Sequence, residues 1–405
     1  VTRDVWQPIR IFGKGPWTLL PGKTRSILLD VVIYSTGLSL FYGIVAIART
    51  WFGVFNPHVE ISRSPLMLPL YAFYSLLRIT IAYSLSLAFT LVYGYVAAYN
   101  PRAERVMIPL LDILQSIPVL SFLPGVMLAM VAMFPHRQIG VELGAILLIF
   151  TGQAWNMVFS FYSSLKSIPR DIREATTIYR FNWYQRFTQL ELPYAAIGLV
   201  WNSMMSVAGG WFFLMACEMF VLGSNDFRLP GLGSYLQTAA SAGDTASILW
   251  GIATMIAVIV LLDQVVWRPV IAWAEKFKLE QVENSDVPQS WFLNLVEGSS
   301  GLAWLRARVA NRAAEYLGVY FARRHAVSDA SQPKPWKTWV GGLVVAALAI
   351  AVAYAIFQVG AMVAGLSRQE VRQILAGAGA TFLRVIIALV LGSVWTIPVG
   401  VAIGL

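Results

Sequence analysis

Few residues in this 405-residue chain are equipped for covalent chemistry. Its histidines, His58, His136 and His325, are scattered without ligand spacing, so they suggest no metal site. Cys217 lies in an apolar run and reads as a small packing residue. Gly22-Lys23-Thr24 has the tail of a phosphate-binding loop, but Trp17 stands where the first glycine belongs and no strand precedes it. With no nucleophile–base set either, the chain reads as a non-enzyme that binds no cofactor. What remains is charge in unexpected places. Arg78 and Glu218 sit inside apolar runs, as does Arg384. Arg78 could attract an anion, but intramembrane charges usually seek partners, so pairing with Glu218 or backbone is an equally strong reading, and Glu218, which would repel an anion, reads as structural. Gln153, Asn156, Asn202 and Ser206 are polar on apolar backgrounds and either line a pathway or bond between helices.

The elements that must hold these groups are membrane helices. The chain is 58% hydrophobic and 13% charged, with mean hydropathy +0.65. Apolar runs of about 20 residues recur, and they are continuous rather than alternating. The fold class is therefore an all-α, polytopic membrane bundle. The net charge of +9 sits in loops between apolar runs, which points to topology and anionic headgroups of the lipid bilayer rather than nucleic acid.

Six spans are expected near 27–48, 71–99, 117–134, 140–161, 195–221 and 248–266. Pro109, Pro118 and Pro124 should break the third repeatedly, and Trp267-Arg268-Pro269 should close the sixth. Residues 1–25 read as a tail before the first span, with the N-terminus inside because Arg3, Arg10, Lys14, Lys23 and Arg25 precede that span. Residues 26–274 form one unit. The segment Ser224–Asp244 is too polar to span. Residues 275–337 form a polar linker with two amphipathic helices; in the second, Arg306, Arg308 and Arg312 oppose Leu305, Val309 and Leu317, as in a surface-lying helix or a partner contact. Residues 338–405 hold two more spans. There, Leu76–Ala98 aligns without gaps on Phe382–Gly404, matching Arg78 with Arg384, Ala82 with Ala388, Thr90 with Thr396 and Gly94 with Gly400. A second copy of the unit is thus expected, interrupted after its first third.

One insert stands apart. Residues 165–193 run SLKSIPRDIREATTIYRFNWYQRFTQLELP from Ser164, charged and aromatic between two apolar spans. Lys166, Arg170, Arg173, Arg180 and Arg186 place it on the cytoplasmic side. Pro169 opens a short helix, Asp171 and Glu174 suit its N-terminal turn, and Leu192-Pro193 stops the segment.

Glu174 and Ala175, followed by Leu190, Leu192 and Pro193, resemble the EAA loop of ABC importer permeases, whose form is EAA-xxx-G and then I-x-LP. Thr176 departs from the second alanine and Arg180 from the glycine. The flanks LLDILQSIPVLSFLP and LPGLGSYL resemble the nitrate, sulfonate, taurine and bicarbonate branch, and the repeat resembles that branch's duplicated permease component. The resemblance implies a permease subunit importing a small anion across the inner membrane of a prokaryote. It implies a cytoplasmic ABC ATPase dimer carrying ATP and Mg, an extracytoplasmic substrate-binding protein, and a second permease unit. Arg173, Glu174, Ala175, Arg180, Leu190, Leu192 and Pro193 would then form the ATPase-coupling loop, with Glu174 orienting it toward a basic residue on the ATPase. An arginine lacks a glycine's backbone freedom, so the turn at position 180 is expected to differ from the family's. An ion-coupled secondary transporter built from repeats is the rival reading; the scarcity of buried Asp and Glu opposes it.

Overall fold

Backbone groups in an apolar run have no partner in lipid except one another, so such runs fold as helices. The structure, a computed structural model, describes residues 22–53, 60–135, 137–222, 225–277, positions 292, 299, 301, 304, 308, 312 and 315–321, and residues 367–404. The span expected at 339–361, the linker at 328–335, most of the N-terminal tail and the three histidines lie outside the described residues. The chain divides into two units, Val1–His325 and Ala326–Leu405.

In the first unit, α1 (Gly22–Trp51), α2 (Leu68–Tyr99), α3 (Pro101–Ser116), α4 (Val119–Met133) and α5 (Ile139–Ser167) are followed by α6 (Arg170–Ile178) and α7 (Trp183–Arg186). Then come α8 (Leu192–Glu218), a two-stranded hairpin of β1 (Val221–Leu222) and β2 (Asn225–Asp226), α9 (Leu232–Ser241), α10 (Thr245–Leu262) and α11 (Arg268–Ala274). The second unit shows α12 (Arg368–Gly404). Six helices among the described residues are long and apolar enough to cross a membrane, and the pair α3–α4, bent by 95°, makes a further candidate.

Helices α2, α5 and α8 form the centre. The buried stripe of α2 runs through Ser75, Arg78, Ala82, Ser86, Thr90 and Gly94; apart from Arg78 these are small side chains that let α5 approach closely. A Cβ at Gly94 would lie 2.8 Å from the Phe161 ring. Ser86 Oγ, 2.8 Å from its own helix's Ala82 carbonyl, is 3.3 Å from the Phe150 carbonyl of α5.

Several sequence expectations change. Only Pro118 breaks its segment, whereas Pro109 and Pro124 lie inside α3 and α4. At roughly 1.5 Å per residue, the 15 residues of α4 fall short of the hydrocarbon thickness. The segment after Glu218, too polar to span, nonetheless packs inward: α9 buries Leu232, Gly233, Ser234, Tyr235 and Ala239.

Neither Leu192-Pro193 nor Arg268-Pro269 stops a helix. A π-turn precedes each, at Phe187–Glu191 and Asp263–Trp267, with Leu192 N–H donating to the Phe187 carbonyl and Arg268 N–H to that of Asp263. Each proline follows as the second residue of the next helix. The wider turn shifts the carbonyl that a proline ring would otherwise meet, so the helix passes through.

Candidate functional site

The insert between α5 and α8 is narrower than expected. Residues 183–193 belong to the base of the α8 span, which is continuous from Trp183 to Glu218. The separate element is the helix α6 with the turns on either side of it.

Burial of one face holds α6 to the bundle. Ile172 packs with Phe161, Leu165, Ile168 and Leu199, and Leu190, Leu192 and Tyr194 join the same cluster. Arg173 donates to the Leu165 carbonyl at the end of α5 and lies 5.9 Å from the Tyr99 ring. The other face is open. Glu174 is exposed, Ala175 half-buried, and Ile178 and Tyr179 are 78% and 75% exposed.

Arg180 has φ +52°, the only non-glycine residue with positive φ among those described. Its N–H donates to the Thr177 carbonyl (3.0 Å) and the Phe181 N–H to that of Thr176 (2.9 Å). These two bonds are the Schellman pattern, with Arg180 where glycine is usual because φ must be left-handed. The expectation that arginine would alter this turn is corrected: it adopts the conformation a glycine would. The next residues close it, with Asn182 accepting from Gln185 N–H (2.8 Å) and donating its own N–H to the Gln185 side chain (3.0 Å), a capping box.

Behind the turn lies a group that residue type did not single out. Glu191 is fully buried; it accepts from the Tyr99 hydroxyl (2.6 Å) and lies 2.8 Å from Arg186 Nε. Arg186 also donates to the Tyr95 hydroxyl (3.1 Å) and covers the Tyr99 ring at 4.9 Å. This cluster joins the end of α2 to the base of α8. Its signal in the sequence was a carboxylate between Leu190 and Leu192, two residues the structure packs in an apolar cluster.

A second buried cluster lies at the opposite ends of α5 and α8. Arg78 donates to both Glu142 oxygens (2.6 and 2.8 Å), to Glu218 (2.9 Å) and to the Pro230 carbonyl (2.7 Å). Glu218 further accepts from the Ser75 hydroxyl (2.7 Å) and Gly233 N–H (2.8 Å). Arg78 and Glu218 therefore meet, and Glu142 joins them. The arrangement clamps the LPGLG loop: a Cβ at Gly231 would lie 2.2 Å from the Glu218 carboxyl, so no side chain fits there. Arg384 is exposed on α12 of the second unit.

The four polar residues expected near a pathway separate into two kinds. Gln153 is fully buried against Gly210, and among the described residues neither of its amide atoms has a hydrogen-bond partner; buried Ser206 Oγ also lacks one there. Asn156 is exposed, and half-buried Asn202 donates to the Gly198 carbonyl (2.9 Å). The described residues contain no cluster of three or more metal-ligating side chains.

Residues 90–266, which hold both clusters' α8 ends and α6, match the family described as binding-protein-dependent transport system inner membrane component. That segment, rather less than half of the chain, thus resembles a membrane transport component. The chain is 22% identical over 207 residues to the putative aliphatic sulfonates transport permease protein SsuC of Bacillus subtilis, covering 50% of this chain and 70% of that protein. It is 20% identical over 252 residues to the nitrate import permease protein NrtB of Synechocystis, covering 62% and 86%. It is also 24% identical over 268 residues to the trimethylamine N-oxide transport system permease protein TmoV of Pelagibacter ubique, covering 64% of this chain but 33% of that protein. All three of these relatives are transport permease proteins, and this chain is similar to each.

Proposed function

We propose that this permease imports a small anion of the nitrate or sulfonate kind, driven by a separate cytoplasmic ATPase dimer that docks on α6. One observation carries the reading: the face of α6 bearing Glu174, Ile178 and Tyr179 is open while its other face is fastened to α5 and α8. A short helix held at its root and bare at its tip transmits a partner's movement into the spans. Glu174 meets a basic residue of the ATPase, Arg173 and Arg180 fix the root and the turn, and Leu190, Leu192 and Pro193 carry the movement into α8. ATP and Mg belong to the ATPase, and a substrate-binding protein delivers the anion to the opposite face. With α6 in the cytoplasm, the N-terminus is inside.

The path runs beside α5 and α8. Gln153 supports this, because a buried amide with no partner costs about 1–3 kcal/mol unless another state supplies one. Ser206 fits the same seam, with Asn156 and Asn202 at more open positions. The second permease unit is a tandem copy: the four shared positions Arg78, Ala82, Thr90 and Gly94 are all buried on α2, so the repeat preserves a packing face. Arg384 takes in that copy the place Arg78 takes here.

The test is ATP-driven uptake in proteoliposomes holding the permease, its ATPase and its binding protein, with nitrate, alkanesulfonates, taurine, bicarbonate and trimethylamine N-oxide as solutes. Glu174→Ala should abolish uptake and weaken ATPase association. Uptake driven by an ion gradient without ATP, or an unchanged Glu174→Ala transporter, would refute the proposal.

A further inference from the structure

Helices α3 and α4 meet at an elbow of 95°, across Ile117 and Pro118. The contacts of α4 fix how deep that elbow lies. α4 runs antiparallel to α5: a Cβ at Gly140 would lie 2.9 Å from the Met130 carbonyl, and one at Gly144 2.7 Å from Met127 Sδ. Farther along the same pair, Val119 and Leu123 share a buried cluster with Leu148. From Met127 back to Val119 the helix covers about 12 Å, at roughly 1.5 Å per residue. The elbow therefore comes level with Gly152 and Gln153, and Gln153 is the midpoint of α5.

A break at that depth bares polar groups. Pro118 has no N–H, α4 begins with no side-chain cap, and the last carbonyls of α3 have no further turn of helix to receive them. Of those carbonyls, Leu114 accepts from Ile117 N–H at 3.4 Å. The side chains add to the polarity. Asp112, Gln115 and Ser116 are all exposed, and they bond locally: Gln115 donates to the Asp112 carboxylate (2.9 Å) and the Ser116 hydroxyl to the Asp112 carbonyl (2.7 Å). Hydrocarbon offers none of these groups a partner. Irregular backbone at membrane depth is tolerated only against protein or beside a water-filled cavity, and a carboxylate there follows the same rule.

We infer that the elbow at 112–118 lines a water-filled cavity inside the membrane, and that Gln115 and Ser116 are wall residues of the solute path. The inference rests on the reading of the chain as an import permease. Water satisfies the bared backbone and the Asp112 carboxylate together, with no cation required opposite. The elbow also shares its level with the Gln153 amide, the buried group for which the same path is the proposed partner.

Cysteine accessibility of the full chain in lipid nanodiscs reads the cavity without any ATPase. The single native cysteine, Cys217, is fully buried, so the unaltered chain is the blank. Thiols react as thiolates, which water supports and hydrocarbon does not. The probe is a charged, membrane-impermeant thiosulfonate. Gln115→Cys and Ser116→Cys should each react at least about tenfold faster than Ile256→Cys, the equivalent of about one pKa unit of thiolate. Ile256 is the apolar reference, 55% exposed on α10. Elbow rates no faster than that reference, whether lipid or protein covers the site, overturn the cavity. In the transporter assembled with its ATPase and binding protein, modification of Gln115→Cys or Ser116→Cys should stop uptake. Full uptake after complete modification of both overturns the path role. A wild-type chain that moves no solute with ATP would instead overturn the permease reading, while the labelling rates still decide whether the elbow is wet.

Discussion

Replacing Arg78 with methionine would remove a side chain of similar length from the most charged site inside the bundle. Its guanidinium makes two hydrogen bonds to Glu142, one to Glu218 and one to the Pro230 carbonyl, all in a region closed to solvent. After the change, Glu218 keeps the Ser75 hydroxyl and Gly233 N–H, but Glu142 loses both bonds to Arg78. Leaving a buried charge without its partner costs about 3–5 kcal/mol, whereas replacing a whole buried ionic set with neutral groups costs much less. Arg78→Met alone should therefore lose about 3–5 kcal/mol. The triple variant Arg78→Met/Glu142→Gln/Glu218→Gln should recover at least about 2 kcal/mol of that, since neutral hydrogen bonds are worth about 1 kcal/mol each. Reversible denaturant unfolding of the purified chain in detergent, followed by tryptophan fluorescence, gives both values. A single variant within about 1 kcal/mol of wild type would refute the reasoning. So would a triple variant no more stable than the single, because the penalty would then not come from stranded carboxylates.

The remaining predictions concern loops. Arg180→Gly removes a left-handed strain of about 1–2 kcal/mol while adding about 0.5–1 kcal/mol of chain entropy, so the folded state should gain up to about 1.5 kcal/mol in the same assay; a loss of stability would show that the arginine side chain itself holds the turn. Asp244 caps α10, accepting from the Ser247 hydroxyl (2.8 Å) and N–H (3.2 Å), with Arg63 3.7 Å away. The Ser247 hydroxyl first, then its N–H and Arg63, hold this carboxyl below the usual carboxylate range. A depressed value means that the stabilisation is present above the ordinary carboxylate pKa and lost as pH falls through the lowered one. The difference in melting temperature between wild type and Asp244→Ala should thus be full at neutral pH and shrink in acid; a difference independent of pH would refute the assignment.

Much of the architecture was legible because lipid leaves few choices. Continuous apolar runs dictate helices, and the cost of a charge among them dictated that Arg78 find a carboxylate. The companion Glu142 escaped notice because it stands near the start of its span, where a carboxylate reads as a boundary residue facing water. Proline misled in a physical way. Pro193 and Pro269 read as stops, yet a π-turn ahead of each lets the helix continue, and no residue type announces a π-turn. Composition likewise placed Gln153 and Asn156 together, three residues apart on α5; burial separates them, one inside the seam and the other on the open side.

Position 180 shows what the turn after α6 demands. A left-handed residue is required there by the two hydrogen bonds that end α6, and glycine meets the requirement at no steric cost. Arginine meets it at a cost that the surroundings offset: Thr177 and Thr176 fix the turn from one side, and the Asn182–Gln185 capping box fixes it from the other. Beyond the box, Arg186, Glu191 and Tyr99 tie the next turn to α2. With both flanks so constrained, the chain has no other conformation to relax into at Arg180, and the strain is retained. A docking helix that bent at this turn would absorb a partner's push as loop motion. Under the docking role proposed for α6, a turn held on both sides would pass the push into α8, and the backbone conformation, not the identity of the residue, would be the property that coupling needs.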